Sequence, residues 1–140
     1  MKIKIKKSHE NAVIPKYAKP GDAGLDLTAI SEELTKDGII YNTGLQIEIP
    51  EGYVGLLFPR SSVANKDLFL VNSVGVIDSQ YRGDIKVVFK PNQMHGPRRY
   101  KVGERIAQLL IIPYPQIEFE EVDKLEDTER GDGSFGSSGK

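Results

Sequence analysis

The stretch Val71-Asn72-Ser73-Val74-Gly75-Val76-Ile77-Asp78-Ser79-Gln80-Tyr81-Arg82-Gly83-Asp84 organises the reading of this chain. An apolar run, residues 74–77, delivers an acid, Asp78. After two polar residues comes a ring, Tyr81, and then Arg82-Gly83-Asp84. A second apolar run, residues 85–89, follows. The pattern predicts two β-strands joined by a tight, glycine-assisted connection. A carboxylate at a strand end, beside a turn and a ring, is well held and part-shielded from water, which suits a general base. It also suits a turn-capping aspartate, and this stretch alone favours the capping role.

Outward from there the same short-run pattern recurs. Residues 2–6 alternate Lys and Ile, as an edge strand does when lysines discourage wrong pairing. In residues 25–29, Leu25, Leu27 and Ala29 alternate against Asp26 and Thr28, so Asp26 faces away from the core and reads by itself as a solvated strand acid. Residues 31–38 are polar and loop-like. Strands are expected at 39–41, 45–49 and 53–58, with turns at Asn42-Thr43-Gly44 and Pro50-Glu51-Gly52, and again at 105–112, while residues 68–71 lead into the opening stretch. A final strand is expected where Ile117 and Phe119 alternate with Glu118 and Glu120. Residues 61–66 read as a short helix with a serine at the N-cap. Fourteen glycines and eight prolines in 140 residues favour turns and short strands over long helices. The expectation is an all-β fold, a distorted jelly-roll-like β-barrel with one short helix and a mobile C-terminal tail. It divides into a core at residues 1–123 and a flexible lid at residues 124–140.

Composition excludes several function classes. The formal net charge is −1, so nothing global attracts nucleic acid or an acidic membrane, and neither partner is expected. With no cysteine, disulfides and thiolate metal sites are ruled out, and His9 and His95 are too few for a histidine-rich zinc site. No apolar run is long enough to span a bilayer. The basic N-terminal residues precede no apolar segment of the signal-peptide kind, so a cytoplasmic location is the default. His95, in a polar loop, is given no role.

Three further places carry candidate chemistry. Arg60, Ser61 and Ser62 end a strand and begin the short helix; serine capping and phosphate binding are compatible there. Gln108 is the one amide in an apolar strand, so it is either a structural hydrogen-bonder or a ligand contact. The tail has an apolar anchor, Phe135, in a Gly-Ser run between Arg130 and Lys140, which offers N–H groups, hydroxyls and positive charge. Its spacing is not that of a Walker loop. It fits a tail that orders over a bound ligand.

Together, five segments resemble the five ordered motifs of the trimeric dUTPase family. They are Ala23-Gly24-Leu25-Asp26-Leu27, Pro59-Arg60-Ser61-Ser62, the run from Asn72 through Asp78 and Tyr81 to Gly83, Gly103-Glu104-Arg105-Ile106-Ala107-Gln108-Leu109, and the tail from Arg130 to Gly139. They span almost the whole chain. The specific signal is all five in order.

The resemblance implies Mg²⁺-assisted hydrolysis of dUTP to dUMP and pyrophosphate, which limits uracil in DNA and supplies dUMP for thymidylate synthesis. It makes Asp78 the general base, drawing a proton from a water that attacks the α-phosphorus. Tyr81 packs under the deoxyribose and leaves no room for a 2′-hydroxyl. The strands around Asn72 and Val76 offer backbone groups to the uracil edge. Arg60, Ser61, Ser62 and Gln108 hold phosphates. Asp26 meets the metal's waters rather than the metal itself. Phe135 stacks on the uracil, while Arg130, Gly136, Ser137 and Ser138 close over the phosphates. A homotrimer with active sites shared between subunits is implied as well. One departure is Ser134, where the family usually has a second glycine before the tail phenylalanine; a serine there resists a positive φ. Two alternatives stay open. A dCTP deaminase of the same fold needs a glutamate on the strand after Asp84, and residues 85–90 hold none. A dUTPase-like regulatory protein is the other.

Overall fold

Period-2 alternation of apolar residues becomes a set of short antiparallel strands. The computed structural model describes residues 1–92 and 98–136. Ten strands form: β1 (Lys4–Lys7), β2 (Leu25–Thr28), β3 (Ser31–Thr35), β4 (Gly38–Asn42), β5 (Leu45–Glu48), β6 (Tyr53–Pro59), β7 (Leu68–Leu70), β8 (Gly75–Ile77), β9 (Lys86–Pro91) and β10 (Arg105–Pro113). One sheet has the order β2-β10-β6-β8 and a second the order β3-β4-β9-β7, while β1 and β5 make a ribbon. All pairs are antiparallel. The fold is all-β and jelly-roll-like, as expected.

The inner faces of both sheets meet in one apolar cluster. Leu27, Leu57 and Leu109 come from the first sheet, Tyr41, Val87 and Phe89 from the second, and Leu45 and Ile47 from the ribbon. Fully burying such a side chain contributes roughly 1.5–3 kcal/mol. At one end of the cluster the rings of Tyr41, Phe89 and Tyr100 meet, with centroids 5.6–6.4 Å apart. The Tyr41 hydroxyl donates to the Tyr100 carbonyl at 2.8 Å. Burial first, then the nearby Glu32, pushes this phenol up to about 12, so it remains a donor at any working pH.

Four expectations need correction. The apolar runs on either side of Asp78 are not partners: β8 pairs with β6, whereas β9 pairs with β4 and β7. Residues 78–85 therefore cross from one sheet to the other. Ile85 lands the crossing by donating its N–H to the Leu45 carbonyl at 2.8 Å and accepting from the Thr43 hydroxyl at 2.8 Å. Residues 31–35 are strand β3 rather than loop; they lie at a sheet edge, mostly exposed, which is why they read as polar. The helix is a 3₁₀ turn, Ser61–Asn65, whose N-cap is the extended Arg60 with no side-chain capping bond, so neither serine caps it. The final strand does not form within the chain: Ile117 and Phe119 are 68% and 89% exposed, with no strand of their own chain beside them.

Phe89 is fully buried and touches both other rings. Phe89→Ala is expected to cost about 3–5 kcal/mol, read as a lowered urea midpoint with an unchanged slope.

Candidate active site

Two groups of polar side chains stand at opposite ends of the first sheet. One is built on β2, β6 and β10. In this sheet Gln108 lies opposite both Asp26 and Phe58. Consecutive residues Ile106 and Ala107 are both fully buried, which a regular strand with one covered face cannot achieve. The ladder answers with a bulge between Arg105 and Ala107. The extra residue turns Arg105 outward, onto the same face as Asp26.

Asp26 is thereby held between two guanidiniums. Arg60 Nε donates to its Oδ1 at 2.7 Å and Arg60 Nη2 to its Oδ2 at 3.4 Å, while Arg105 Nη1 donates to Oδ2 at 2.9 Å. Arg60 Nη1 also donates to Ser62 Oγ and to the Arg105 carbonyl, both at 3.3 Å. The Arg60 and Asp26 side chains are mostly covered, at 24% and 20% exposure, and Arg105 is open at 54%. Asp26 is not the solvated strand acid that alternation alone suggested. Two positive charges share one carboxylate, leaving a surplus that suits an anion. Gln108 donates to the Pro59 carbonyl at 3.2 Å. Its amide oxygen lies against Gly24, where an added Cβ would sit 2.5 Å away, so the glycine makes room for it. Ser61 is exposed at the rim.

The other group surrounds a cleft of about 220 Å³ lined by Leu57, Asn72, Val76, Asp78, Tyr81 and Asp84, among others. Asn72 and Val76 are exposed on either side of a tight turn, in which Val74 N–H donates to the Asn72 carbonyl at 2.6 Å and Ser73 takes φ +59°. The Asp78 carbonyl accepts from Tyr81 N–H at 3.1 Å, but no hydrogen bond or ion pair engages its carboxylate among the described residues. Asp78 therefore does not cap the turn. Tyr81 folds back over Gly83, and its hydroxyl donates to the Asp84 carbonyl at 2.9 Å. Gly83 is needed for this close approach and not for a left-handed turn: a Cβ would lie 2.6 Å from Tyr81 Cζ. The Asp84 carboxylate accepts from Asn42 and Gln46, each at 3.0 Å, which fixes the segment under the ring.

The two groups do not meet within the chain. Ile77 lies opposite Gly55, whereas Gln108 lies opposite Phe58. Asp78 is thus about four residues from Gln108 along β6, with β8 and β10 on its two sides. That places them on the order of 16 Å apart. Among the described tail residues, Arg130 closes only its own turn onto the Gly133 carbonyl at 3.0 Å, Phe135 is fully exposed, and Gly136 has φ +90°. None lines the cleft. Ser134 does not take a positive φ; Phe135 does, at +37°. Ser137, Ser138 and His95 lie outside the described residues.

Sequence reading missed Arg105, Tyr100 and Asp84. The bulge hid the side of Arg105, Tyr100 was read as a turn residue, and Asp84 was read only as the end of a turn. No group of three or more potential metal-ligating side chains exists among the described residues, and no helix there is long and apolar enough to cross a membrane.

Comparison with known proteins agrees over nearly the full length. The family model for dUTPase matches residues 10–139. The deoxyuridine 5'-triphosphate nucleotidohydrolase of Nautilia profundicola is 46% identical, with 100% of each chain covered. The dUTPase of Staphylococcus bacteriophage 80alpha, solved with dUpNHpp, is 29% identical with TM-score 0.77, covering 99% of this chain and 98% of that one. A variant dUTPase of Staphylococcus aureus phage phi11, solved to show coordination of a structural Mg(II) ion, is 26% identical with TM-score 0.76, covering 91% and 100%.

The amide of Asn42, then the hydroxyl of Ser8 and the amide of Gln46, hold the Asp84 carboxyl below its usual value of 3.8, with burial opposing. In the window between its folded and unfolded values the unfolded chain binds more protons. Its contribution to stability is therefore full above pH 3.8 and lost as pH falls through the lower folded value. Asp84→Asn should flatten the fall of the melting temperature over that acid range, measured by thermal melts from pH 6 to about 2.5.

Proposed function

The chain belongs to the dUTPase family, and from that premise we propose how it hydrolyses dUTP to dUMP and pyrophosphate. The observation that carries the proposal is the unengaged Asp78 carboxylate at the mouth of a cleft whose ring, Tyr81, is pinned by Gly83 and Asp84. Asp78 takes a proton from water as the water oxygen attacks the α-phosphorus. The bond from that phosphorus to the bridging oxygen breaks, and pyrophosphate leaves. Tyr81 lies against the deoxyribose and rejects a 2′-hydroxyl by contact. The backbone around Asn72 and Val76 reads the uracil edge.

The surplus positive charge around Asp26 belongs to the phosphates. Arg60, Arg105, Ser61 and Gln108 hold the β- and γ-phosphoryl groups and stabilise charge developing on the leaving group, and Ser62 serves the same phosphates through the Arg60 guanidinium it accepts from. Mg²⁺ fits a site of this kind: it keeps several waters and binds phosphate oxygens, so it needs no cage of side chains. Asp26, the carboxylate of this cluster, would accept hydrogen bonds from those waters. When bound, the ion neutralises triphosphate charge.

The separation of Asp78 from the arginine cluster supports a homotrimer whose active sites draw on more than one chain. The tail, residues 124–140, acts as the lid on the core at residues 1–123. Phe135 stacks on the uracil, and Arg130, Gly136, Ser137 and Ser138 close over the phosphates and exclude water. Cytoplasmic nucleotide pools are the corresponding place of action.

Pyrophosphate release should be fast with dUTP and slow with dTTP, dCTP and UTP; equal rates would defeat the substrate assignment. Asp78→Asn should lower kcat by about 10²–10⁴-fold with KM little changed, and turnover at the wild-type rate would remove Asp78 from the role of base. Deleting residues 131–140 should leave the assembly and melting temperature intact but abolish most turnover.

A further inference from the structure

Beneath Arg60 a second hydroxyl group is spent on holding the arginine. Tyr100 is 2% exposed, and its ring is packed against Tyr41 and Phe89. Its backbone carbonyl is tied down by the Tyr41 hydroxyl. Lys66 Nζ lies 4.7 Å over its ring and pairs with Glu104 at 3.3 Å, so the ring is fixed from several sides. Its phenolic oxygen comes to 3.1 Å from Ser62 Oγ. Ser62 Oγ in turn accepts from Arg60 Nη1. The result is a continuous chain from the aromatic core outward: Tyr100, Ser62, Arg60, Asp26, Arg105. The 3₁₀ turn that follows Arg60 contains no fully buried residue, and Val63 packs only partly against the core, so the polar chain adds to what holds Arg60.

We infer that Tyr100 is a positioning residue for the triphosphate arm: its hydroxyl fixes Ser62, and Ser62 fixes the guanidinium of Arg60 in the orientation that receives the β- and γ-phosphoryl groups. This rests on the proposed role of Arg60 in phosphate binding. It also assigns Ser62 a role distinct from Ser61. Ser62 is half-buried between a tyrosine and an arginine, whereas Ser61 is exposed toward solvent. The carrier of this effect is the hydroxyl alone, because the ring's packing in the core survives its removal.

The test uses the full chain and two ligands, dUMP, which lacks the outer phosphates, and the non-hydrolysable triphosphate dUpNHpp, measured by calorimetric titration with Mg²⁺ present. Tyr100→Phe should weaken dUpNHpp binding by about 3- to 10-fold, the worth of one hydrogen bond, and leave dUMP binding unchanged. Ser62→Ala should do the same, and the double variant should be no worse than either single one. Equal weakening for both ligands would show a general disturbance of the fold and overturn the inference. An effect of Ser62→Ala without one of Tyr100→Phe would make Ser62 a direct ligand and overturn it too. Arg60→Ala separates the two levels of argument. If it weakens dUpNHpp while Tyr100→Phe does not, only the relay fails. If Arg60→Ala has no effect, the phosphate role of Arg60 fails, and the relay with it.

Discussion

The bulge in β10 is the constraint from which the arginine cluster follows. Ile106 and Ala107 are adjacent and both fully buried, so a strand with one covered face cannot keep its period of two there. One extra residue restores the inward face and reverses the side on which Arg105 emerges. Without it, Arg105 would share the inward face of Ala107, where an unpaired guanidinium is strongly disfavoured. Because β10 sits between β2 and β6, the same strand also aligns Asp26 and the end of β6 with Gln108. Packing of two apolar side chains thus decides which charges meet outside.

What meets there is electrostatically incomplete. Two guanidiniums a few ångströms apart repel by about 4 kcal/mol at an effective dielectric constant near 20. Asp26 offsets this by accepting from both, through three hydrogen bonds. One positive charge remains uncompensated, in a setting where Asp26 and Arg60 are largely shielded from water. A setting of that kind suits an anion. The carboxylate is first an organiser of arginines, and it keeps lone pairs for further donors.

Sequence and structure agree most where one face of a strand is buried. β5 follows its alternation closely, with Leu45 and Ile47 buried against Gln46 and Glu48, and the five ordered segments locate nearly every residue of both groups. Agreement fails where a residue's side depends on its neighbours in space. β3 read as loop because an edge strand has no need of apolar residues. Arg105 stayed hidden because a bulge leaves no mark in composition. Gly83 was legible as important, but for the wrong reason: the chain needs a missing Cβ under the ring of Tyr81 and not a positive φ. Tyr100 was legible only as an aromatic in a turn, because its partner Ser62 is thirty-eight residues away. The two halves of the hairpin-like run around Asp78 belong to different sheets because Ile85 finds its hydrogen bonds on the Thr43–Leu45 turn, a preference that no local pattern encodes.

The distance between Asp78 and the arginines is a fixed dimension of the sheet. Both groups are fixed to β6 by ladder hydrogen bonds on either side, and a register slip of one residue would turn every inward side chain outward. Closing a gap of four residues by sliding strands would therefore dismantle the core. Bending is no easier, because Leu57 and Leu109 are locked in the apolar cluster. The exposed Ile117, Phe119 and Phe135 stand outside that rigid arrangement: they are apolar side chains left open to solvent among the described residues, so nothing in the sheet holds their segment as it holds Asp78 and the arginines.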